Sequence, residues 1–484
     1  MNESRKRKPR VVVIGAGMSG LLMGIRLKRA GLDDFVLLEK EAEVGGTWRE
    51  NRYPGLSCDV PSHLYSYSFE QNPDWTHRYS HGPEIHAYFR RVADDYGIRP
   101  HIRFESEVLQ AAWTGKQWRL ETADGETRSA DFVIAATGVL HHPSYPEIEG
   151  LDSFAGACFH TARWPAELDL AGKRVGVVGT GSSSIQLLPE VAEVAGRVSL
   201  FQRTAQWVFP LGNKPYSPEQ RERLRRFPVL QRLLYRYYAW LFELASRGVI
   251  GDKLLLTLIA RACRRNLENV EDPELRGKLT PDYQAACKRL IGSTRFYPAV
   301  QRENVEVVTE PIARITPAGV ETEDGRLHAQ DVLVLATGFR AHDYMRPMKL
   351  LGEEGQSLDE AWQGGVRAHR TLTLPGFPNF FMLIGPHSPI GNYSLIDIAE
   401  LQVGYVMQCI ERWVSGDFDR IAPTERATQR YNALLKDSFS GTVWLSGCAS
   451  WYLDESGLPV LWPLPYAEFR SQMRRPRFEE FELS

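Results

Sequence analysis

Two glycine-rich turns in this 484-residue chain have the spacing that cradles a dinucleotide pyrophosphate. The first, Gly15-Ala16-Gly17-Met18-Ser19-Gly20, follows the apolar run Val11 to Ile14. The second, Gly179-Thr180-Gly181-Ser182-Ser183-Ser184, follows Val175 to Val178. In this pattern the first glycine permits the tight turn, the second lets the phosphates approach the backbone, and the third lets helix and strand pack closely. The free N–H groups and positive dipole end of the following helix then hold the anion. Nineteen positions beyond Gly20 stands Glu39, and nineteen beyond Ser184 stands Arg203. An acid at that offset accepts hydrogen bonds from a ribose 2′-OH, whereas an arginine favours a 2′-phosphate. The chain is therefore expected to hold two different dinucleotides, and FAD with NADPH is the natural pair. Ser184 departs from the pattern; its Cβ costs helix–strand closeness but leaves the phosphate contact open. Ser182, Ser183 and Gln186 open the helix on the NADPH side, and Gln202-Arg203-Thr204 stands at the expected offset. A third glycine pair, Gly45-Gly46-Thr47-Trp48, lets backbone lie against the flavin side, with Trp48 as an aromatic wall.

These residues need a particular scaffold. Continuous apolar runs before each glycine turn read as buried parallel strands. Leu21 to Leu27 continues as a helix and Phe35–Leu38 as the next strand. Val108–Trp113 and Trp118–Thr122, near the turn Ala123-Asp124-Gly125, suggest a small antiparallel sheet. Phe132 to Gly138 and Val332 to Gly338 both read as a buried strand ending in Ala-Thr-Gly. The expected fold is α/β, with two Rossmann-like dinucleotide-binding domains, the second inserted in the first, and a helical insert. The expected boundaries are 1–150 and 331–484 for the FAD domain, 151–210 and 286–330 for the NADP domain, and 211–285 for the insert. Within the insert, Leu230, Leu233, Leu234, Tyr237 and Leu241 recur with helical spacing, and 253–266 also reads as helix. That stripe is expected to pack on the second domain.

Composition narrows the function classes. The net charge of −2 offers no general attraction to nucleic acid or an anionic membrane. No apolar run reaches membrane-spanning length, so no stable membrane association is expected. The basic stretch Arg5 to Arg10 precedes apolar residues as in a signal peptide, but these residues carry the first glycine turn and no cleavage site follows. Six scattered cysteines without a C-x-x-C pair read as reduced and cytoplasmic, with no redox dithiol or zinc site.

The linker before the second glycine turn reads Phe154-x-Gly156-x-x-x-His160-Thr161-x-x-Trp164-Pro165. This resembles the motif of the flavin-dependent (type I) Baeyer–Villiger monooxygenases, which place it between two dinucleotide turns. The related N- and S-oxygenases carry tyrosine at the Trp164 position. Asn51 to Asp59, with Tyr65 close behind, is similar to the family's flavin-side segment, and the resemblance sets Asp59 near the flavin. Lys288-Arg289 resembles the active-site arginine segment, where the lysine helps hold the 2′-phosphate and the arginine reaches flavin and nicotinamide. Gly385 to Asn392 resembles a flavin-contacting turn. Cys448 to Tyr452, with Trp451, resembles the start of a loop that closes over NADP and substrate. Beyond it a glycine-rich continuation gives way to Leu453-Asp-Glu-Ser-Gly-Leu-Pro459.

The resemblance implies an NADPH- and dioxygen-dependent oxygenase that forms a flavin peroxide and inserts one oxygen atom beside a ketone carbonyl, giving an ester or lactone. Such chemistry needs a fixed cation, and Arg289 supplies a guanidinium that is always charged; Asp59 is expected to orient it. His160 is expected to hold domain geometry. The alternative is an N- or S-oxygenase acting on amines or sulfides. The expected partners are a small ketone and dioxygen, with no nucleic acid or metal, in a cytoplasmic monomer or homodimer.

Overall fold

A computed structural model describes residues 7–484, so Arg5 and Lys6 of the basic stretch at the N-terminus lie outside the described residues. Two five-stranded sheets dominate. The first has the order Phe380–Met382, Phe132–Ala135, Val11–Ile14, Phe35–Leu38, Ile102–Arg103. Every neighbouring pair in it is parallel. The second has the order Val305–Val308, Arg197–Phe201, Arg174–Val178, Val332–Leu335, Ala157–His160, again parallel throughout. The central strand of each sheet carries its glycine turn. Val11–Ile14 and Phe132–Ala135 are buried along their whole length, which is why they lack the polar alternation of a half-exposed strand.

The second sheet is embedded in the first unit, because the chain returns to the first sheet only at Phe380–Met382. A domain boundary at residue 331 would cut off Val332–Leu335, which pairs with Arg174–Val178 inside the second sheet. The Ala-Thr-Gly echo thus marks the same position in two sheets.

Val108–Trp113, Trp118–Thr122 and Thr127–Ala130 form the expected antiparallel sheet, with Lys349–Leu351 added parallel at its edge. A second such sheet, Ile312–Thr316, Gly319–Thr322 and Leu327–Ala329, goes beyond the sequence expectation. Its signal is legible afterwards: Thr122-Ala-Asp124-Gly125 and Thr322-Glu-Asp324-Gly325 build the same turn. In each, the threonine hydroxyl donates to the aspartate and glycine takes a positive φ.

The insert is four helices, Pro218–Arg226, Pro228–Val249, Lys253–Leu267 and Pro273–Lys278. It packs differently from expectation. Tyr238 is buried in the core of the first unit, with Leu234, Tyr235 and Phe242 against it. Tyr235 donates to Asp397 at 3.1 Å, and Arg470 donates to Glu243 at 3.0 Å. The helix Lys253–Leu267, through Cys263 and Leu267, and Leu275 of the last helix join the core of the second unit. The insert therefore bridges both units, and Leu233, Tyr237 and Leu241 of the expected core stripe face solvent.

Candidate active site

The first cradle is built by backbone. Gly15 has φ +103°, and a Cβ there would lie 2.7 Å from the Ala136 carbonyl oxygen; at Gly20 it would lie 1.9 Å from the Gly15 oxygen. The helix Met18–Arg29 begins at Gly17 without a side-chain cap, so its first N–H groups are free for phosphate. Glu39 immediately follows the next strand, Phe35–Leu38. Its carboxylate accepts from the Ala16 N–H at 2.7 Å and the Glu41 N–H at 3.0 Å. Burial pushes its pKa up, and the two backbone donors oppose that. Each oxygen keeps a lone pair that a ribose diol could use. Gly46 backs onto Gly17, and Trp48 follows it, donating its indole N–H to the Tyr65 hydroxyl at 2.9 Å. These residues fit FAD.

The second cradle repeats this plan. Gly179 takes φ +107°, and the helix Ser182–Val194 starts at Gly181, again uncapped. Ser183 stands in its first turn. Ser184 is fully buried and its hydroxyl has no partner among the described residues, so the serine is accommodated by the turn. The Thr180 hydroxyl donates to the Thr204 carbonyl at 2.7 Å, tying the glycine turn to the segment of Arg203. Arg203 is exposed at the strand end. Lys288 stacks over the Tyr283 ring at 4.6 Å. Burial first, and then the charge of Arg203, hold the Lys288 pKa below its ordinary value, against the pull of Asp282. Two cations brought within mutual repulsion make a site that a 2′-phosphate would relieve, so these residues fit NADP.

Gln186 joins the two units. It accepts from the Tyr53 hydroxyl at 2.9 Å and donates to the Ser57 carbonyl at 2.9 Å. This fixes the segment that carries Asp59. Arg289 Nη2 lies 2.5 Å from Asp59 Oδ2, and the two side chains are 27% and 28% exposed. The carboxylate raises the arginine's pKa still further, overcoming burial. The same guanidinium stands 3.8 Å from where a Cβ on Gly391 would lie, and the Tyr452 hydroxyl stands 2.6 Å from that point. Burial pushes the Tyr452 phenol up to about 12, with Arg289 pulling the other way. The structure thus gathers Asp59, Arg289, Gly391 and Tyr452 from four distant stretches of chain. Gly391 and Tyr452 lie within recognisable segments, but spacing alone singles out neither.

Trp451, 37% exposed, leans on Tyr452 with ring centroids 4.5 Å apart. The unusual continuation after it is a self-closed turn. Asp454 Oδ1 accepts from the N–H groups of Ser456 and Leu458, and the Val460 N–H returns to the Tyr452 carbonyl at 2.8 Å. Gly385 is buried in the turn leading to Gly391.

Cys448, upstream of that loop, is disulfide-bonded to Cys287, which immediately precedes Lys288-Arg289. This corrects the reading of all six cysteines as reduced. Sequence could not foresee it, because 161 positions separate the pair. Cys58, Cys158, Cys263 and Cys409 are free.

The linker motif lies on the edge of the second sheet. Gly156 precedes the strand Ala157–His160, which pairs with Val332–Leu335. His160 is fully buried, accepts from the Ala162 N–H at 3.1 Å, and packs edge-on against Phe339. Phe154 packs on the second unit's outer cluster. Trp164 packs edge-on against Phe159 with centroids 5.1 Å apart, and Pro165 is exposed. These residues brace the crossing between the units.

A Streptomyces coelicolor protein named Baeyer-Villiger monooxygenase is 41% identical over 480 residues, covering 98% of this chain and 92% of that protein. This chain belongs to the flavin-dependent Baeyer–Villiger monooxygenase family. A Mycobacterium tuberculosis relative, named as an uncharacterized monooxygenase, is 48% identical over 99% of this chain and 96% of its own length. Among solved structures, that of OTEMO in complex with FAD and NADP matches with a TM-score of 0.89 at 28% identity, covering 99% of this chain and 100% of that one. Residues 12–229 also match a family profile described as pyridine nucleotide-disulphide oxidoreductase. That profile reflects the two-dinucleotide layout of Baeyer–Villiger monooxygenases; the chain has no C-x-x-C dithiol. Among the described residues no helix is long and apolar enough to cross a membrane, and no cluster is suited to a metal ion.

Proposed function

We propose that this chain binds FAD in the first unit and NADPH in the second, and inserts one oxygen atom from dioxygen beside a ketone carbonyl to give an ester or lactone. The observation that carries this reading is the Arg289–Asp59 pair at 2.5 Å, lying between the two cradles. Bound flavin would supply the redox chemistry, taking hydride from NADPH and passing electrons to dioxygen. The chain supplies position, charge and dryness. Gly15, Gly17, Gly20 and Glu39 hold the FAD pyrophosphate and ribose. Gly179, Gly181 and Ser182 hold the NADPH phosphates, and Arg203 and Lys288 its 2′-phosphate. Arg289 keeps a permanent positive charge where the carbonyl oxygen becomes negative. Asp59 orients the guanidinium, so no reorganisation is needed as charge develops. Trp451 and Tyr452 exclude water from that point. The protein acts as a monomer or homodimer, and the Cys287–Cys448 disulfide removes the thiol argument for a cytoplasmic location.

The test is a panel of linear, cyclic, aryl and steroid ketones beside thioethers and amines, with products identified by mass. Ester or lactone from at least one ketone class supports the reading; oxygenation of only thioethers or amines overturns it. Arg289→Ala should still let NADPH bleach the flavin while yielding no ester. Ester formed at the parent rate would show that Arg289 does not stabilise the developing negative charge.

A further inference from the structure

The helix Pro228–Val249 turns an apolar stripe outward. Leu233, Tyr237 and Trp240 are 54%, 53% and 60% exposed, and Leu241 is exposed beside them. Their spacing puts them on one face of the helix. The other side of the helix, through Tyr235, Tyr238 and Phe242, is seated in the core of the first unit, so folding does not need the outward residues. The following helix, Lys253–Leu267, also exposes Leu254 and Leu258. Tryptophan and leucine held in water on a firmly anchored helix mark a contact surface.

Charge says what kind. Arg232, Arg236 and Arg247 on the first helix, and Lys253, Arg261, Arg264 and Arg265 on the second, are all exposed. Only two acids, Glu243 and Asp252, lie in the two helices and the turn between them, and both are engaged. Glu243 accepts from Arg470 at 3.0 Å. Asp252 caps the second helix through the N–H groups of Leu254 and Leu255. The chain as a whole carries −2, so this positive charge is local to the apolar stripe.

We propose that this hairpin docks the protein reversibly on an anionic lipid surface, with Trp240 and the leucines at the headgroup boundary and the arginines on lipid phosphates. An amphipathic helix with a tryptophan- and leucine-bearing face and basic flanks binds membranes in this way without spanning them. Reversible, salt-sensitive binding of this kind is compatible with the absence of stable membrane association expected from sequence.

The holoenzyme is sedimented with vesicles of phosphatidylcholine alone or of phosphatidylcholine mixed with phosphatidylglycerol. Binding to the anionic vesicles is expected to be tighter by about tenfold or more and to weaken as salt screens it. The double variant Trp240→Ser, Leu254→Ser should lose about tenfold of that binding, with flavin content and melting temperature unchanged. Arg236→Gln with Lys253→Gln should reduce the preference for anionic vesicles. Equal sedimentation of parent and variants, or none by the parent, overturns the proposal. So does light scattering that finds a parental dimer which the Trp240 variant splits, because a second copy would then cover the face. None of these readouts depends on which substrate is oxidised.

Discussion

Replacing Arg203 by glutamine should separate the two coenzymes. Arg203 stands exposed at the end of the strand Arg197–Phe201, close enough to Lys288 to depress its pKa. A 2′-phosphate binding between them makes charge-assisted hydrogen bonds to both. Losing one such contact costs about 1.5–3 kcal/mol. At about 1.4 kcal/mol per decade, that raises the dissociation constant for NADPH roughly 10- to 150-fold. NADH has no 2′-phosphate, so its constant should move by less than about twofold. The assay is anaerobic flavin reduction in stopped flow, with the observed rate plotted against coenzyme concentration so that binding is separated from hydride transfer. Removing Arg203 also removes a charge that lowers the Lys288 pKa, so that pKa should rise and Lys288 stays protonated to higher pH. Equal weakening of both coenzymes, or undisturbed NADPH binding, would refute the assignment of a phosphate site.

Denatured without reductant, the chain should present four reactive thiols, from Cys58, Cys158, Cys263 and Cys409, and six after reduction; six at the outset would mean that Cys287 and Cys448 are not joined. Gly391→Ala puts a Cβ 2.6 Å from the Tyr452 hydroxyl, at φ +95°. It should cost about 1–2 kcal/mol of stability from backbone strain and lower the ester formed per NADPH consumed; unchanged coupling would show that this contact does not matter. Glu480 pairs with the buried Arg370 at 2.7 Å. Glu480→Gln should destabilise by about 3–5 kcal/mol in denaturant titration, because it leaves a buried cation unpaired. Burial would raise the Glu480 pKa, but His369 and Arg370 outweigh it and lower it from 4.5 to about 2. The stabilisation should therefore be full above the ordinary carboxylate range and fade as pH falls towards about 2, and a stability that stays flat across that fall would remove the pair from the account.

Local patterns carry far in this chain. The two glycine turns, their strands and the residues Glu39 and Arg203 are legible because the tight turn, the helix start and the offset acid or base all lie within one βαβ unit, where spacing along the chain is spacing in space. The linker through Phe154, His160 and Trp164 is legible for the same reason. The packing of the insert is not, because helical periodicity reports that one face is apolar and not which neighbour it meets. Leu233 and Tyr237 obey the period and still face water, since the helix seats Tyr238 and Leu234 in the first unit.

The reactive constellation is decided only by tertiary structure. Asp59 and Arg289 are 230 positions apart, and Tyr452 and Gly391 reach them from two further segments. The disulfide between Cys287 and Cys448 likewise depends on two segments 161 positions apart meeting in the fold. Sequence determined which cofactor chemistry each strand–turn–helix unit can hold, because that depends on local backbone shape. The fold alone determined which side chains converge between the units, because that depends on how two separately built sheets are pressed together.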